Sequence, residues 1–278
     1  STPPFQNAMA MDANRCGIPV VYGFCRGIGS VSYAAAVLLL GFVLERHAPT
    51  LLLPVFAALT ACGLLAMSGF RLPERPDEAA DRPAEHRSIA AVLRSHPRFA
   101  LTLLGCMFFF LTHTISNTYM NALVGKAGGT ASAVGTSLAI SAVLELPAMT
   151  LVSRLQKRFS PGFFLRFAAG AEIVKFLIFY LAHSMPLIYL GHCMQFFQFA
   201  VYAPATVYYV AAALPERDQL KGQSLIYVAG SGLGGALGNL LGGRLLDRSG
   251  IQAALLLGTV SAAASLLTFC LSTREDSR

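Results

Sequence analysis

An all-α membrane protein, built as a bundle of spanning helices, is the fold class this sequence predicts. Three observations predict it. Hydrophobic residues make up 55% of the 278 positions. They gather into runs of roughly 18–25 residues, the length that crosses a hydrocarbon core of about 30 Å as a helix. Only 13% of residues are Asp, Glu, Lys or Arg, against about 25% in soluble domains, which leaves too few to form a dispersing surface. Barrel strands would be about half as long as these runs and would alternate polar with apolar residues; no such alternation is visible.

Eight spans follow, at approximately 27–45, 50–70, 99–122, 132–153, 162–183, 186–213, 222–243 and 251–271. The first ends at Glu45-Arg46, and the second begins after Pro49 and ends at Arg71. The stretch 71–98 is too charged to enter lipid and too long for a hairpin; with Pro73, Pro76, Pro83 and Pro97 it reads as a connector, carrying a short surface helix at Ser88–Ser95. The third span opens past Pro97-Arg98, the fourth closes at Arg154, and the fifth follows Ser160-Pro161. The last three are separated by Pro215–Lys221 and by Arg244–Gly250.

Basic residues orient the spans. Alternate connections divide fifteen Lys and Arg against four, the smaller set being Arg46, Lys126, Arg244 and Arg248. The richer side is expected in the cytoplasm, with both the 71–98 connector and the C-terminus, in a multi-pass inner (plasma) membrane protein. This distribution also accounts for the net charge of +7 without nucleic acid. The six cysteines form no CxxC or Cys/His cluster, so neither a metal site nor another cofactor is expected.

An internal repeat sets the organisation. Gly41-Phe42-Val43-Leu44-Glu45-Arg46 resembles Gly243-Arg244-Leu245-Leu246-Asp247-Arg248 at an offset of 202 residues. Two parallel halves joined by a connector are the plan of transporters made from two six-helix bundles. Six spans follow the connector and two precede it, so residues 1–70 are expected to be the remainder of an N-terminal half. Residues 99–278 would be a whole C-terminal half, and roughly 100 residues would be lacking at the start.

Several segments resemble the major facilitator superfamily, in the branch of oligosaccharide–proton symporters, nucleoside–proton symporters and phenylpropionate permeases. Tyr22-Gly-Phe-Cys-Arg26-Gly-Ile-Gly29-Ser30 is similar to that branch's fifth-helix opening, and Glu145-Leu146-Pro147 to its eighth-helix Glu-Ile-Pro. Gly222-Gln223-Ser224 and Gly242-Gly243-Arg244-Leu245-Leu246-Asp247 are similar to the two ends of its eleventh helix. The loop Ser153–Arg158 keeps the basic residues of the family's eighth-to-ninth connection but lacks the Asp of many relatives. The resemblance implies a major-facilitator-type bundle, helices 5–12 of a twelve-helix fold. It also implies a secondary transporter moving a small organic solute by alternating access with protons, inactive without its first helices.

Ionisable groups at membrane depth are the candidate machinery. Glu145 lies roughly nine residues from the basic end of its span, about 13 Å at 1.5 Å per residue, near the midplane. Glu172 and Lys175 are central in the next span and three residues apart, so they can pair within one helix. Two roles fit these residues: proton coupling or substrate orientation centred on Glu145, and a structural ion pair between helices. His113, Asn117 and Asn121 recur every four residues in the third span; His192, Gln195, Gln198 and Tyr202 recur at three, three and four in the sixth. Such neutral hydrogen-bonding groups either line a cavity for a polar, weakly charged solute or bond helix to helix.

Gly230, Gly234, Gly238 and Gly242 recur every four residues and form a smooth face for close helix packing. The segment Gly230–Gly235 also satisfies GxGxxG, but no βαβ unit surrounds it. Pro147 and Pro204 are expected to kink their helices. No nucleotide-binding loop and no HExxH motif occurs, which disfavours ATP-driven transport and an intramembrane enzyme. A non-transporting membrane sensor or scaffold with the same fold is the alternative; the central charges argue against it. The expected partners are a small-molecule substrate, protons and the lipid bilayer.

Overall fold

The computed structural model describes residues 22–44, 49–68 and 88–273. Every element among the described residues is helical. Among the described residues two helices precede the connector: α1 (Tyr22–Leu44) and α2 (Leu52–Ser68), the latter entered through a 3-10 turn at Pro49–Leu51. Then come α3 (Ile89–Ser95), α4 (Pro97–Thr118), α5 (Met120–Lys126), α6 (Ala131–Leu155) and α7 (Pro161–Leu181). Beyond these are α8 (Met185–Cys193), α9 (Phe199–Ala213), α10 (Glu216–Tyr227), α11 (Gly235–Ser249) and α12 (Ile251–Ser272). A 3-10 turn at Met194–Phe196 joins α8 to α9, and a π-helical stretch at Val228–Gly234 joins α10 to α11.

Helices fall at each of the eight expected positions, with α4 and α5, α8 and α9, and α10 and α11 in tandem. Five are long and apolar enough to cross a membrane: 97–118, 131–155, 185–213, 216–249 and 251–272. The apolar cores of α1 and α2, Ile28–Gly41 and Leu53–Ala66, are shorter. Helix α7 has the length but carries three charged residues, Arg166, Glu172 and Lys175.

Local chemistry explains the helix starts. Ser160 accepts from the Phe163 amide, with Pro161 at the first helical position, where its missing N–H costs nothing. The connector helix α3 is capped by Ser88, which accepts from the Ala91 amide at 3.2 Å. Gly250, at φ 78°, turns the chain between α11 and α12 in a conformation open to glycine.

The core is two adjoining apolar clusters between α4, α7, α9 and α12. One holds Phe99, Phe109, Leu165, Tyr202 and Phe269; the other holds Ile115, Phe176, Phe179, Ile188 and Leu255. Helix α4 also lies along the α10–α11 tandem through the glycine face. A Cβ added at Gly230 would lie 2.7 Å from the Phe110 ring, one at Gly238 2.7 Å from the Leu111 carbonyl, and one at Gly242 2.6 Å from the Tyr119 ring. At Gly234 it would run into the Met107 carbonyl oxygen. All four glycines are buried against a neighbouring helix.

Helix α1 packs on α6 where Gly41 and Gly135 face each other; a Cβ at Gly135 would sit 3.2 Å from the Val37 carbonyl. Helix α2 exposes Leu53, Phe56, Leu59, Leu64 and Leu65, apolar surface that hydrocarbon solvates as readily as protein does. Of the repeated hexapeptides, Glu45 and Arg46 lie outside the described residues, as do 71–87 of the connector and the basic positions Arg15, Arg274 and Arg278.

Candidate functional site

Glu145 organises the interior. It sits in the middle of α6, 9% exposed, and its carboxylate accepts two side-chain hydrogen bonds from two other elements. Ser30 Oγ of α1 donates to Oε2, and Gln195 Nε2, from the turn between α8 and α9, donates to Oε1 at 3.1 Å. The same Gln195 amide accepts at Oε1 from Lys175 Nζ of α7 at 2.9 Å. One amide therefore bridges a buried ammonium and a buried carboxylate, satisfying each through its opposite end. Desolvated charges are tolerable at this depth only with such partners.

The 172/175 pair is resolved differently from the expectation of pairing within a helix. Lys175 turns to Gln195 and stands 5.7 Å from the centre of the Phe179 ring. Glu172 accepts instead from Gln198 Nε2 at 2.9 Å. Glu172 and Lys175 thus each take one glutamine from the same irregular turn. The turn makes this possible: α8 stops at Cys193, and Gln198 adopts φ −99° and ψ −93°, outside helical values. Interrupted helices that release side chains inward recur at solute sites in transporters.

A cavity of about 310 Å³ opens beside Glu145, lined by Ser30, Tyr33, His113, Asn117, Ser141, Gln195 and Phe199 among others. Helices α1, α4, α6 and α9 contribute its walls. His113 stacks on Phe199 with ring centres 4.4 Å apart and planes 11° off parallel. Asn117 Nδ2 lies 3.0 Å from His113 Nε2, and also donates to the His113 carbonyl. The wall thus combines a flat aromatic surface with neutral polar groups and one carboxylate.

Among the residues singled out from sequence, His113, Asn117, Glu145 and Gln195 meet at this cavity. Glu172, Lys175, Gln198 and Tyr202 are fully buried behind it, with Tyr202 stacked on Phe109 at 3.9 Å. His192 is buried too, its Nδ1 2.7 Å from Ser141 Oγ and its Nε2 3.3 Å from Met120 Sδ. Asn121 falls beyond the break at Tyr119, so the stripe at spacing four stops at Asn117. Sequence reasoning did not single out Tyr33, Ser141, Phe199 or Ser30 as lining residues. Only Ser30 carried a signal, as the end of the Tyr22–Ser30 segment. Among the described residues, no group of three His, Cys, Asp or Glu side chains is placed to hold a metal.

Residues 18–257 match the MFS_1-like family. The maltose permease of Geobacillus stearothermophilus is 28% identical over 257 residues, covering 92% of this chain and 64% of that protein. An uncharacterized transporter of Bacillus subtilis strain 168, YwbF, is 23% identical over 258 residues, with coverage of 92% and 64%. The chain thus spans about 64% of the length of both relatives. Among solved structures, FucP, a major facilitator transporter in an outward conformation, is matched with a TM-score of 0.59 at 19% identity, over 83% of this chain and 59% of that one. A variant of the E. coli fucose:proton symporter FucP gives 0.60 at 18% identity, over 87% and 64%. The fold is that of these transporters. With a family match across most of its length, spanning helices and a polar cavity at their centre, the chain belongs to the MFS_1-like family of major facilitator transporters.

Proposed function

We propose that the chain is the larger part of a proton-coupled secondary transporter that carries a small organic solute, of the sugar, nucleoside or aromatic acid class, by alternating access. In this reading residues 1–70 hold the end of helix 4 with helices 5 and 6, residues 71–98 are a cytoplasmic connector, and residues 99–278 form helices 7–12. The observation that carries the proposal is Glu145: a single carboxylate in the wall of a polar cavity, held by groups from both sides of the connector. A carboxyl at the solute site exchanges a proton with the cavity in step with the solute. The aromatic floor of His113 and Phe199, with Asn117 and Gln195 beside it, suits a polar ring. A maltose permease and a fucose:proton symporter among the similar proteins support the sugar class and the proton.

The test is uptake by proteoliposomes holding the complete transporter, with labelled sugars, nucleosides and aromatic acids offered with and without an imposed pH gradient. Uptake of one class, enhanced by inward-directed protons, is expected. No gradient-driven uptake of any of the three would remove the proposal.

Orientation is testable independently. The fifteen-to-four division of Lys and Arg puts the connector and the C-terminus in the cytoplasm. Reporter fusions after residue 80 and at residue 278 are expected to show cytoplasmic activity, and activity on the outer face at either point would reverse the topology.

A further inference from the structure

Behind the cavity lies a polar cluster that transport by Glu145 does not use. Glu172, Gln198 and Tyr202 are 0%, 0% and 2% exposed. One hydrogen bond joins them, from Gln198 Nε2 to Glu172 Oε1. Two atoms of this pair are left without a partner, Glu172 Oε2 and Gln198 Oε1, while the Tyr202 hydroxyl has the Cys106 thiol beside it. Buried polar groups in native proteins are nearly always paired, so two orphans together need a cause.

Both are acceptors only, for an ionised carboxylate oxygen and an amide carbonyl have no hydrogen to give. Ionised, Glu172 leaves both without a donor. Lys175 donates to neither; its ammonium bonds Gln195. A carboxylic acid differs by one O–H. We propose that Glu172 holds a proton, and that the neutral acid and the Gln198 amide form a closed pair with two hydrogen bonds: amide N–H to acid carbonyl, and acid O–H to amide carbonyl. The structure shows the first bond; the proton completes the second.

Charge balance favours the same state. The titratable groups around Glu172 are Lys175 on its own helix, Tyr202 on α9, the Cys106 thiol on α4 beside Tyr202, and Glu145 on α6 across Gln195. Of these, one is cationic and one is a second carboxyl. With Glu172 neutral, a single ammonium faces a single carboxylate through one amide, and the interior carries no excess charge. Glu172 is thus a proton-holding site distinct from Glu145, keeping its proton while the cavity carboxyl exchanges.

The inference concerns a protonation state and stands apart from the transport reading. Infrared spectra of the purified chain in lipid nanodiscs at neutral pH test it, because a protonated carboxyl has its own carbonyl stretch, which shifts in heavy water. That band is expected in the wild type, lost in Glu172→Gln and kept in Glu145→Gln. Glu172→Gln also keeps the wild-type unfolding temperature, since a glutamine amide closes the same ring with Gln198, whereas Glu172→Ala lowers it. A wild-type spectrum without the band, or a band at full strength in Glu172→Gln, overturns the proposal. The first outcome is read on the unaltered chain and is independent of how any variant folds.

Discussion

In Glu145→Gln, solute accumulation against a gradient disappears while downhill exchange continues at a reduced rate. Glutamine has the shape of glutamate and retains an oxygen to accept from Ser30 or Gln195, so the cavity wall keeps its form. It cannot take up or release a proton. Each pH unit of imposed gradient drives about tenfold accumulation when one proton accompanies one solute, since tenfold corresponds to about 1.4 kcal/mol. The variant is expected near onefold at any gradient. The loss of the carboxylate also leaves Lys175 with an amide bridge that leads to no anion, which accounts for the slower exchange. Uptake of labelled solute by proteoliposomes, with and without the gradient, separates the two activities. Wild-type accumulation by the variant would leave Glu145 as a packing residue.

The second large effect is on folding. Gly234 and Gly238 face main-chain carbonyls of α4, those of Met107 and Leu111, and backbone cannot swing aside as a side chain can. Leucine at either position forces the α10–α11 tandem away from α4 and undoes contacts along its length. Overpacking at one site typically costs about 1–3 kcal/mol, and a whole domain is stable by only about 5–15 kcal/mol. Gly234→Leu and Gly238→Leu together are therefore expected to leave little folded protein in detergent, measured as monodisperse yield on size exclusion. Gly232 lies in the same π-helical stretch but is exposed, its nearest contact being the Tyr227 carbonyl at 3.7 Å. Gly232→Leu should fold as the wild type does. An equal loss in both would show that flexibility of the segment, rather than close approach to α4, is what these glycines provide.

Much of this architecture could be read from the sequence because it depends on patterns that one helix can carry. Long apolar runs located the helices, the short helix in the connector fell where Ser88–Ser95 was expected, and a glycine every fourth residue marked the face that packs on α4. What could not be read depends on interruptions. His192, Gln195, Gln198 and Tyr202 share a face if the helix is continuous, but the turn at 194–198 sends Gln195 to Glu145 and Gln198 to Glu172. The hydrogen-bond partners of Glu172 and Lys175 were hidden for the same reason. Spacing of three permits a pair on α7, but two amides from a broken neighbour supply competing partners, and a charged group bonded to a neutral amide avoids the strain of two long side chains folded onto one helix. The role of Ser30 depends on which helix stands across from Glu145, and no local pattern records that. Pro204 drew attention as a kink; the main irregularity lies six residues earlier, at Gln198.

One consequence follows from placing Gln195 and Gln198 in a single irregular turn. The two carboxyls belong to different helices and share no hydrogen bond, yet both are gripped from the same five-residue pivot. Bending or straightening that pivot shifts both grips at once, in fixed proportion, as two jaws move on one rivet. A tilt of α9 against α8 is thereby transmitted to α6 and α7 together, and the positions of Glu145 and Glu172 are mechanically geared.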